Sequence, residues 1–448
     1  MDEFYQYPHK PVDYLRDFLK KLSMSPITSG ALLVFCAILS LIWANSGWSD
    51  SYFALLTTHL TIGIGDHAIS KPLLFWINDG LMVIFFFAVG LEIKHEVLEG
   101  HLSTWKKASL PLIAAAGGMI LPALIFTAFN FGTEAMRGWG IPVATDIAFA
   151  VGILALLGKR VPPPLRIALL ALAIADDLGA IIVIAVFYTE QLSIVALLLG
   201  FVGLGILWAG NRFLGIRTLG FYFLFGVLVW VAFLNSGVHP TVAGVLVAFT
   251  IPHHPPLPLR TFFRDTQQLL NNFSKEESPE LQFMLLDKIN EGSFMAESTL
   301  RRAERGLYNW VNFFIMPLFA LFNAGVKIPE TGFFSELTTP ITLGVMLGLF
   351  LGKQFGVLGA SWLAAKIGIA QLPESLRWRE FYGMAMLSGI GFTMSLFIAS
   401  LAYANHLQFL NEAKIGILTG SLLSALAGLL YLHKVLPKLP SSSEEASS

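Results

Sequence analysis

Charged residues and cysteines are scarce in this sequence of 448 residues. Only 13% of the residues are Asp, Glu, Lys or Arg, about half the share that is usual in soluble domains. The single cysteine, Cys36, excludes a disulfide framework and a cysteine-based metal site. A formal net charge of −1 provides no global basic field, which argues against nucleic acid as a partner. These absences disfavour both a soluble multidomain enzyme and a nucleic-acid-binding protein.

Long apolar stretches, in contrast, are abundant. Hydrophobic residues make up 55% of the chain, and a transmembrane helix needs about 20 consecutive residues that are mostly apolar. The sequence therefore predicts an all-α polytopic membrane protein with about 12 transmembrane helices. We number the stretches as spans one to twelve, and they cover residues 26–47, 73–92, 108–129, 139–158, 166–189, 192–210, 218–235, 239–257, 307–326, 338–365, 380–404 and 415–433.

The distribution of Lys and Arg predicts the orientation in the membrane. If the N-terminus is cytoplasmic, 24 of the 29 Lys and Arg residues fall in cytoplasmic segments, four in external segments and one within a span. A bias of this sign is the positive-inside pattern, so we expect both termini in the cytoplasm. Residues 1–25 are predicted to be a polar N-terminal tail, and the first apolar run is expected to be a retained span.

Three segments outside the spans are distinctive. Within a transmembrane domain predicted at 26–436, residues 58–71 alternate apolar and polar side chains and predict an external β-hairpin around Gly65-Asp66. This hairpin could support a homodimer or fold back onto its own chain. Residues 255–306 predict a cytoplasmic insert, which could dock a partner or serve as a solvated linker. Residues 437–448 predict a disordered tail.

A few ionisable residues lie deep inside the spans: Asp79, Asp146, Asp176, Asp177 and Lys353. A central charge costs about 2.5–3.5 kcal/mol on insertion scales, so four of them cost on the order of 10 kcal/mol. A membrane protein keeps such groups when they pair with one another, line a water-filled pathway, or do both. A membrane scaffold without transport activity does not account for them.

Asp176 and Asp177 lie near the middle of span five, and Lys353 lies near the middle of span ten. Neighbouring residues on a helix project about 100° apart. We therefore expect Asp177 to face a cavity and Asp176 to pair with Lys353. The alternative is an ion-pair staple that merely holds two helices together, but two acids and one base do not neutralise one another.

Spans four and eleven each have a weak centre. In span four, Pro142 removes a backbone donor just before Thr145 and Asp146. In span eleven, Gly389 and Gly391 are followed by Thr393, a pattern that favours local unwinding. For these glycines considered alone, close helix packing through small residues is the alternative interpretation.

The predicted topology relates these two weak centres to each other. Span four runs from outside to inside, and span eleven runs from inside to outside. Spans three to five and ten to twelve are therefore predicted to be inverted-topology repeats, each with a discontinuous middle helix, and the two breaks are expected to cross at the midplane. Asp146 is expected to balance the positive helix N-termini there, and Lys353 the negative C-termini.

Short motifs extend from span two to span eleven. They are Trp76-Ile-Asn-Asp79, Gly90-Leu-Glu92-Ile-Lys94-His-Glu96, Ala144-Thr145-Asp146-Ile-Ala-Phe, Ala173-Ile-Ala-Asp176-Asp177-Leu-Gly179-Ala, Ser236-Gly237-Val238-His239, Asn323-Ala-Gly325-Val, Gly352-Lys353 and Gly389-Ile-Gly391-Phe-Thr393-Met-Ser395. In this order they resemble the NhaA family of bacterial sodium–proton antiporters. Inverted repeats with broken helices are a known feature of that family, so the resemblance and the predicted topology are not independent.

The resemblance implies roles for the charged residues of the spans. Asp176 and Asp177 match the family's essential carboxylates, with Asp177 as a Na⁺ ligand and proton carrier. Asp146 and Lys353 match the residues that compensate the helix dipoles, and Lys353 also pairs with an aspartate. Thr145 is expected to add a hydroxyl ligand.

The resemblance also implies residues for pH response and cation access, namely Asp79, Glu92, Glu96, His239 and Glu304. Without it, Glu92 and Glu96 are ordinary interfacial acids, and His239 is equally well a hydrogen-bonded interfacial histidine. The chain departs from the family ahead of span nine. Arg305 and Tyr308 stand there in place of family histidines.

The predicted function is secondary active antiport in the bacterial inner membrane. The protein would lie in the lipid bilayer, and protons entering the cell through it would drive Na⁺ or Li⁺ out in an electrogenic and pH-regulated exchange. The protein is not expected to be an enzyme or to use a cofactor. A sodium-coupled symporter of an organic solute is the nearer alternative. An intramembrane aspartyl protease is the more distant one, because Thr145-Asp146 and Asp176-Asp177 do not match the Tyr-Asp and Gly-x-Gly-Asp motifs that such proteases need.

Overall fold

The computed structural model describes residues 26–63, 68–189, 192–273, 278–328 and 332–437. The predictions for residues 1–25, for the hairpin tip at Gly65-Asp66 and for residues 438–448 lie outside these ranges. The described chain is mainly helical, as predicted, because a helix satisfies its own backbone hydrogen bonds within lipid.

Each of the twelve predicted spans contains helix in the structure. Seven helices are long and apolar enough to cross a membrane, and two bent helix pairs qualify as one span each, all within the part of the chain that the structure describes. Spans seven and eight are shorter apolar helices, and span nine is built of three consecutive helical pieces. In chain order the spans are Pro26–Asn45, Leu73–Leu98, Trp105–Asn130, Glu134–Val143 with Ile147–Ala155, Pro163–Phe187, Ile194–Arg212, Leu219–Leu234, Thr241–Thr250, Thr299–Trp310 with Val311–Ile315 and Met316–Asn323, Pro340–Ile367, Trp378–Leu387 with Phe392–Ala402, and Leu407–Val435.

The two predicted discontinuities are present. Span four is a 3₁₀-helix and an α-helix that meet at a bend of 42°, and span eleven consists of two α-helices that meet at 45°. Pro142 lies in the last turn before the first break, and Gly389 and Gly391 lie in the second. This multi-pass membrane protein therefore has broken helices in the middle of both predicted repeats.

Spans three and ten, which open the two predicted repeats, pack closely through small residues. Gly117 and Gly356 face each other, and a methyl group added to either would overlap the other's carbonyl group. Such small-residue contacts let membrane helices approach through their backbones. The π-helical turn Gly348–Gly352 of span ten ends directly before Lys353. The small residues therefore determine how closely the helix that carries Lys353 approaches span three.

The chain divides into two compact units. The first holds the described parts of residues 26–82, 99–189 and 309–437, and the second holds those of residues 83–98 and 192–308. The second unit has its own hydrophobic core, which includes Leu91, Phe233, Val247 and Leu300. Leu300 belongs to an amphipathic helix, so its apolar side is covered by this core.

Two antiparallel strands, His59–Ile62 and Ile69–Pro72, lie in the segment predicted to form a hairpin. Leu60 and Ile62 are exposed on the first strand. A short helix, Ser49–Thr57, precedes the strands, and the remaining short helices are Gly158–Arg160 and Phe333–Leu337.

The predicted insert contains two helices of its own, Leu259–Phe273 and Pro279–Ala296. We call them the first and second insert helix. They pack on each other through Phe262 and Gly292. These helices form because apolar residues recur at helical spacing within the insert.

Candidate cation and proton site

Two buried polar side chains, those of Lys353 and Thr145, contact the carboxyl group of Asp176. The Nζ atom of Lys353 donates a hydrogen bond to Oδ2 of Asp176, and Oγ1 of Thr145 lies 2.5 Å from the same oxygen. Asp176, Thr145 and Lys353 are all buried. The sequence-based pairing of Asp176 with Lys353 is therefore seen in the structure. It joins span five to span ten, next to the break of span four.

Thr145 also connects the two breaks. Its Oγ1 lies 2.8 Å from the carbonyl oxygen of Ser388, in addition to its contact with Asp176. A threonine hydroxyl has a single proton, so it can donate to only one of these oxygens at a time. The Oδ1 atom of Asp176 has no hydrogen-bond partner among the described residues. Thr145 and Asp176 thus present oxygen atoms beside the unwound chain of span eleven.

Asp177 comes directly after Asp176 within span five and is only 1% exposed. Asp176 has the same exposure, so the two adjacent carboxyl groups share a buried environment that contains one lysine. A buried charge without compensation is expensive. With all three groups ionised, the two carboxylates and the one ammonium leave one net negative charge in this environment.

Asp146 caps two helices at once. Its Oδ1 accepts a hydrogen bond from the backbone N–H of Phe149 at 3.0 Å, at the start of the helical half Ile147–Ala155. Its Oδ2 accepts from the backbone N–H of Thr393 at 3.1 Å and from the Thr393 hydroxyl, at the start of Phe392–Ala402. One carboxylate therefore serves the positive ends of both broken helices, as the dipole argument predicted.

The second break has another acceptor that the sequence did not reveal. The Oγ atom of Ser421 in span twelve lies 3.1 Å from the backbone nitrogen of Phe392 and 3.3 Å from that of Gly391. Ser421 lies in an apolar span beside glycine and leucine, a context typical of small-residue packing. No sequence feature distinguishes it from the neighbouring small residues, and only the fold shows its role.

The backbones of the two broken spans are joined directly. The N–H of Asp146 donates to the carbonyl oxygen of Ile390 at 2.7 Å, and the Ser395 hydroxyl donates to that of Ile141 at 2.7 Å. At Gly391 an added methyl would lie 3.0 Å from the carbonyl oxygen of Ala144. The glycine therefore permits both the break and close packing, so the two sequence-based interpretations describe one arrangement.

Other predicted residues of the first unit lie in separate surroundings. Asp79 is in the π-helical turn Trp76–Leu81, next to Asn78. The side-chain amides of Asn78 and Asn323 donate to each other, at 3.2 and 2.8 Å. Lys414, which the span boundaries placed in an external segment, is instead buried in the longer helix Leu407–Val435 and donates to the carbonyl oxygen of Gly325.

In the second unit, the predicted residue Glu304 contacts a histidine that the sequence analysis left without a role. The Nδ1 atom of His95 lies 3.1 Å from Oε2 of Glu304, and Nη2 of Arg301 lies 3.4 Å from Nε2 of His95. His95 is on the helix that carries Glu92 and Glu96. Arginine can only donate, so the pattern fits an imidazole that donates through Nδ1 and accepts at Nε2.

Two further contacts belong to the second unit. Buried Lys94 donates to the carbonyl oxygens of Phe249 and Ile251, at 2.6 and 2.5 Å, at the end of the helix Thr241–Thr250. At the beginning of that helix, Nδ1 of His239 lies 2.7 Å from Oγ1 of Thr241. His239 therefore has the local hydrogen bond that its alternative interpretation requires.

In the ranges that the structure covers, no group of three or more His, Cys, Asp or Glu side chains is placed to hold a metal ion.

Comparisons with known proteins identify the family. A solved structure of the sodium proton antiporter MjNhaP1 from Methanocaldococcus jannaschii is 13% identical, with a TM-score of 0.45 and coverage of 94% of this chain and 97% of that one, a likeness too weak to support an argument. Among curated proteins, Na(+)/H(+) antiporter NhaA of Oleidesulfovibrio alaskensis is 45% identical over 434 residues, covering 95% of this chain and 96% of the relative. The protein of the same name from Aeromonas salmonicida is 46% identical over 426 residues, covering 94% and 97%. A family model described as Na+/H+ antiporter 1 matches residues 20–432. The chain therefore belongs to this family of Na⁺/H⁺ antiporters.

Proposed function

We propose that this protein is a secondary active antiporter that exchanges Na⁺ for H⁺. The observation that supports it best is the buried pair Asp176-Asp177, in which Lys353 compensates Asp176 beside two broken helices. The function of the curated relatives, as their names give it, agrees with this chemistry.

Sodium is the cargo, and oxygen atoms are its natural ligands. Hard cations prefer carboxylate, hydroxyl and carbonyl oxygens, and the site offers the Asp177 carboxylate, Oδ1 of Asp176 and the Thr145 hydroxyl. Because Lys353 already compensates Asp176, the remaining negative charge of the pair is on Asp177. Sodium and a proton therefore compete for Asp177.

Competition becomes exchange if the site reorients only when its charge is compensated. With Asp176 and Asp177 ionised and Lys353 protonated, the empty site carries one net negative charge, which is costly in a membrane. Either Na⁺ or H⁺ removes that charge. An electrogenic exchange moves a second proton, so the proton-loaded form carries one positive charge more than the Na⁺-loaded form. Asp176 would bind that proton, or Lys353 would release its proton when Na⁺ binds and regain it when Na⁺ leaves. We propose this stoichiometry, and Li⁺ as a second cargo.

We also propose a bacterial inner-membrane location with both termini in the cytoplasm, which the Lys and Arg bias supports. The hairpin at 58–71 would then be external. Its exposed Leu60 and Ile62 would support pairing with the same strand of a second copy.

The direct test is an ion series in everted membrane vesicles. After respiration has acidified the lumen, added Na⁺ or Li⁺ should dissipate the pH gradient, whereas K⁺ should give only the signal of vesicles that lack the protein. Equal responses to all three cations would contradict the proposed selectivity. A Na⁺ response that requires an organic solute would favour symport.

We propose that His95 and Glu304, with Arg301, contribute to pH regulation. A proton bound at Nε2 of His95 would place a positive charge against the Arg301 guanidinium, whose Nη2 lies 3.4 Å away. A neutral glutamine cannot gain that charge. We therefore expect the activity of His95→Gln to extend to lower pH than that of the wild type, measured in the vesicle assay across pH.

The matched control for this prediction is His101→Gln, which removes an exposed histidine a few residues further along. Its pH profile should coincide with the wild-type profile. An unchanged profile for His95→Gln, or an equal shift for both variants, would exclude the proposed role of His95.

A further inference from the structure

The first insert helix has a strip of apolar side chains that are exposed to solvent. Leu259, Phe263 and Leu270 are 68%, 74% and 52% exposed. At 100° per residue they project within about 40° of one another. We call these three residues the apolar strip.

The rest of the apolar face of this helix is occupied by the insert itself. Phe262 contacts the second insert helix, where a methyl group added at Gly292 would lie 3.2 Å from its ring. Leu269 and Phe273 are also partly covered. The helix pair is therefore held together by one edge of the apolar face, and the apolar strip is the other edge.

Two exposed arginines border the strip. Arg260 and Arg264 project about 60° and 100° beyond Phe263, on the side of the helix away from Phe262, and Gln267 and Asn271 follow on that side. Arg264 contacts Asp265 at 3.2 Å, but an exposed ion pair contributes little and exchanges readily with other anions. Phenylalanine and leucine beside arginine are typical of helices that lie in a lipid–water interface.

The strip begins close to the end of span eight. The backbone N–H of Leu300 donates to the carbonyl oxygen of Pro252, directly after the helix of span eight, and that of Leu257 donates to Met295, both at 3.1 Å. These two hydrogen bonds close the base of the insert. Leu259 is only two residues from Leu257, so the first turn of the helix lies near this base.

We propose that the first insert helix binds the lipid surface of the adjacent membrane leaflet. The apolar strip would enter the boundary between headgroups and acyl chains, and Arg260 and Arg264 would bind anionic phospholipid headgroups. An arginine contributes about fivefold to partitioning onto an anionic surface. Continuity with span eight and the basic border favour lipid over a soluble partner.

The experiment uses the full-length protein in liposomes, with Cys36→Ser as background because Cys36 is the only cysteine. A spin label is attached at Phe263→Cys on the strip or at Gln268→Cys on the opposite face, which is also exposed. Accessibility to oxygen, which concentrates in lipid, is compared with accessibility to a water-soluble nickel chelate. Leu259→Cys provides a second position on the strip.

In liposomes that contain phosphatidylglycerol, the oxygen-to-nickel ratio should be several-fold higher at position 263 than at position 268. Arg260→Gln with Arg264→Gln should lower the equilibrium constant for docking by about fivefold for each arginine. Liposomes of purely zwitterionic lipid should weaken docking of the unsubstituted helix in the same way. High nickel accessibility at positions 259 and 263 would exclude docking. Low accessibility to both reagents would show that protein covers the strip, and it would overturn the lipid proposal.

Discussion

Replacing Asp177 by asparagine is expected to reduce Na⁺-dependent dissipation of the pH gradient to the level of vesicles without the protein. Asparagine keeps the shape and an oxygen ligand, but it carries no negative charge and cannot exchange a proton in this pH range. The variant therefore lacks the group for which Na⁺ and H⁺ are proposed to compete. The Asp176–Lys353 ion pair remains in place, so the protein should still fold.

The matched control is Asp287→Asn, the same substitution at an exposed position of the second insert helix. It should transport at the wild-type rate, and both variants should be present in the membrane in equal amounts. A full response of Asp177→Asn to added Na⁺ would remove the proposed mechanism. Partial activity with an altered preference between Na⁺ and Li⁺ would leave Asp177 as a ligand but not as the proton carrier.

The spans and both helix breaks could be predicted because their causes are local in the sequence. A stretch of about 20 apolar residues predicts a transmembrane helix without any knowledge of the helices that pack against it. Pro142 weakens a helix in whose interior it lies, and Gly389 and Gly391 weaken theirs. The placement of Asp146 at two helix N-termini also followed, because the predicted topology brought the breaks together.

The contacts that complete the site could not be predicted, because they depend on which helix faces join. Ser421 caps the second break from a different span. His95 and Glu304 are far apart in sequence but bonded in the second unit. The burial of Lys414 was missed for a related reason. Its helix begins at Leu407, where the apolar pattern had not yet become continuous, and the carbonyl group of Gly325 accepts its hydrogen bond.

Asp146→Ala is expected to destabilise the protein by about 2–4 kcal/mol. The substitution leaves three donors without their acceptor: the buried backbone N–H and hydroxyl of Thr393 and the partly buried N–H of Phe149. Each orphaned donor costs about 1–3 kcal/mol, and the partly buried one costs least. Part of this loss is offset, because an uncharged residue saves about 2.5–3.5 kcal/mol of the cost of placing a carboxylate within a membrane. The free energy lost with the three hydrogen bonds exceeds the free energy saved by removing the carboxylate. The thermal unfolding temperature of the variant in detergent should therefore fall clearly.

Two serine variants make this prediction quantitative. Ser421→Ala removes one neutral acceptor shared by two N–H groups, so it should cost about 1–2 kcal/mol and lie between Asp146→Ala and the wild type. Ser400→Ala removes a hydroxyl that bonds only within its own helix, to Phe397, and should stay within about 0.5 kcal/mol of the wild type. If Asp146→Ala unfolds at the same temperature as Ser400→Ala, the shared cap contributes nothing to the stability of the fold. Asp146 would then be retained for transport alone, because a buried carboxylate that does not stabilise the crossing has no other compensation for its cost.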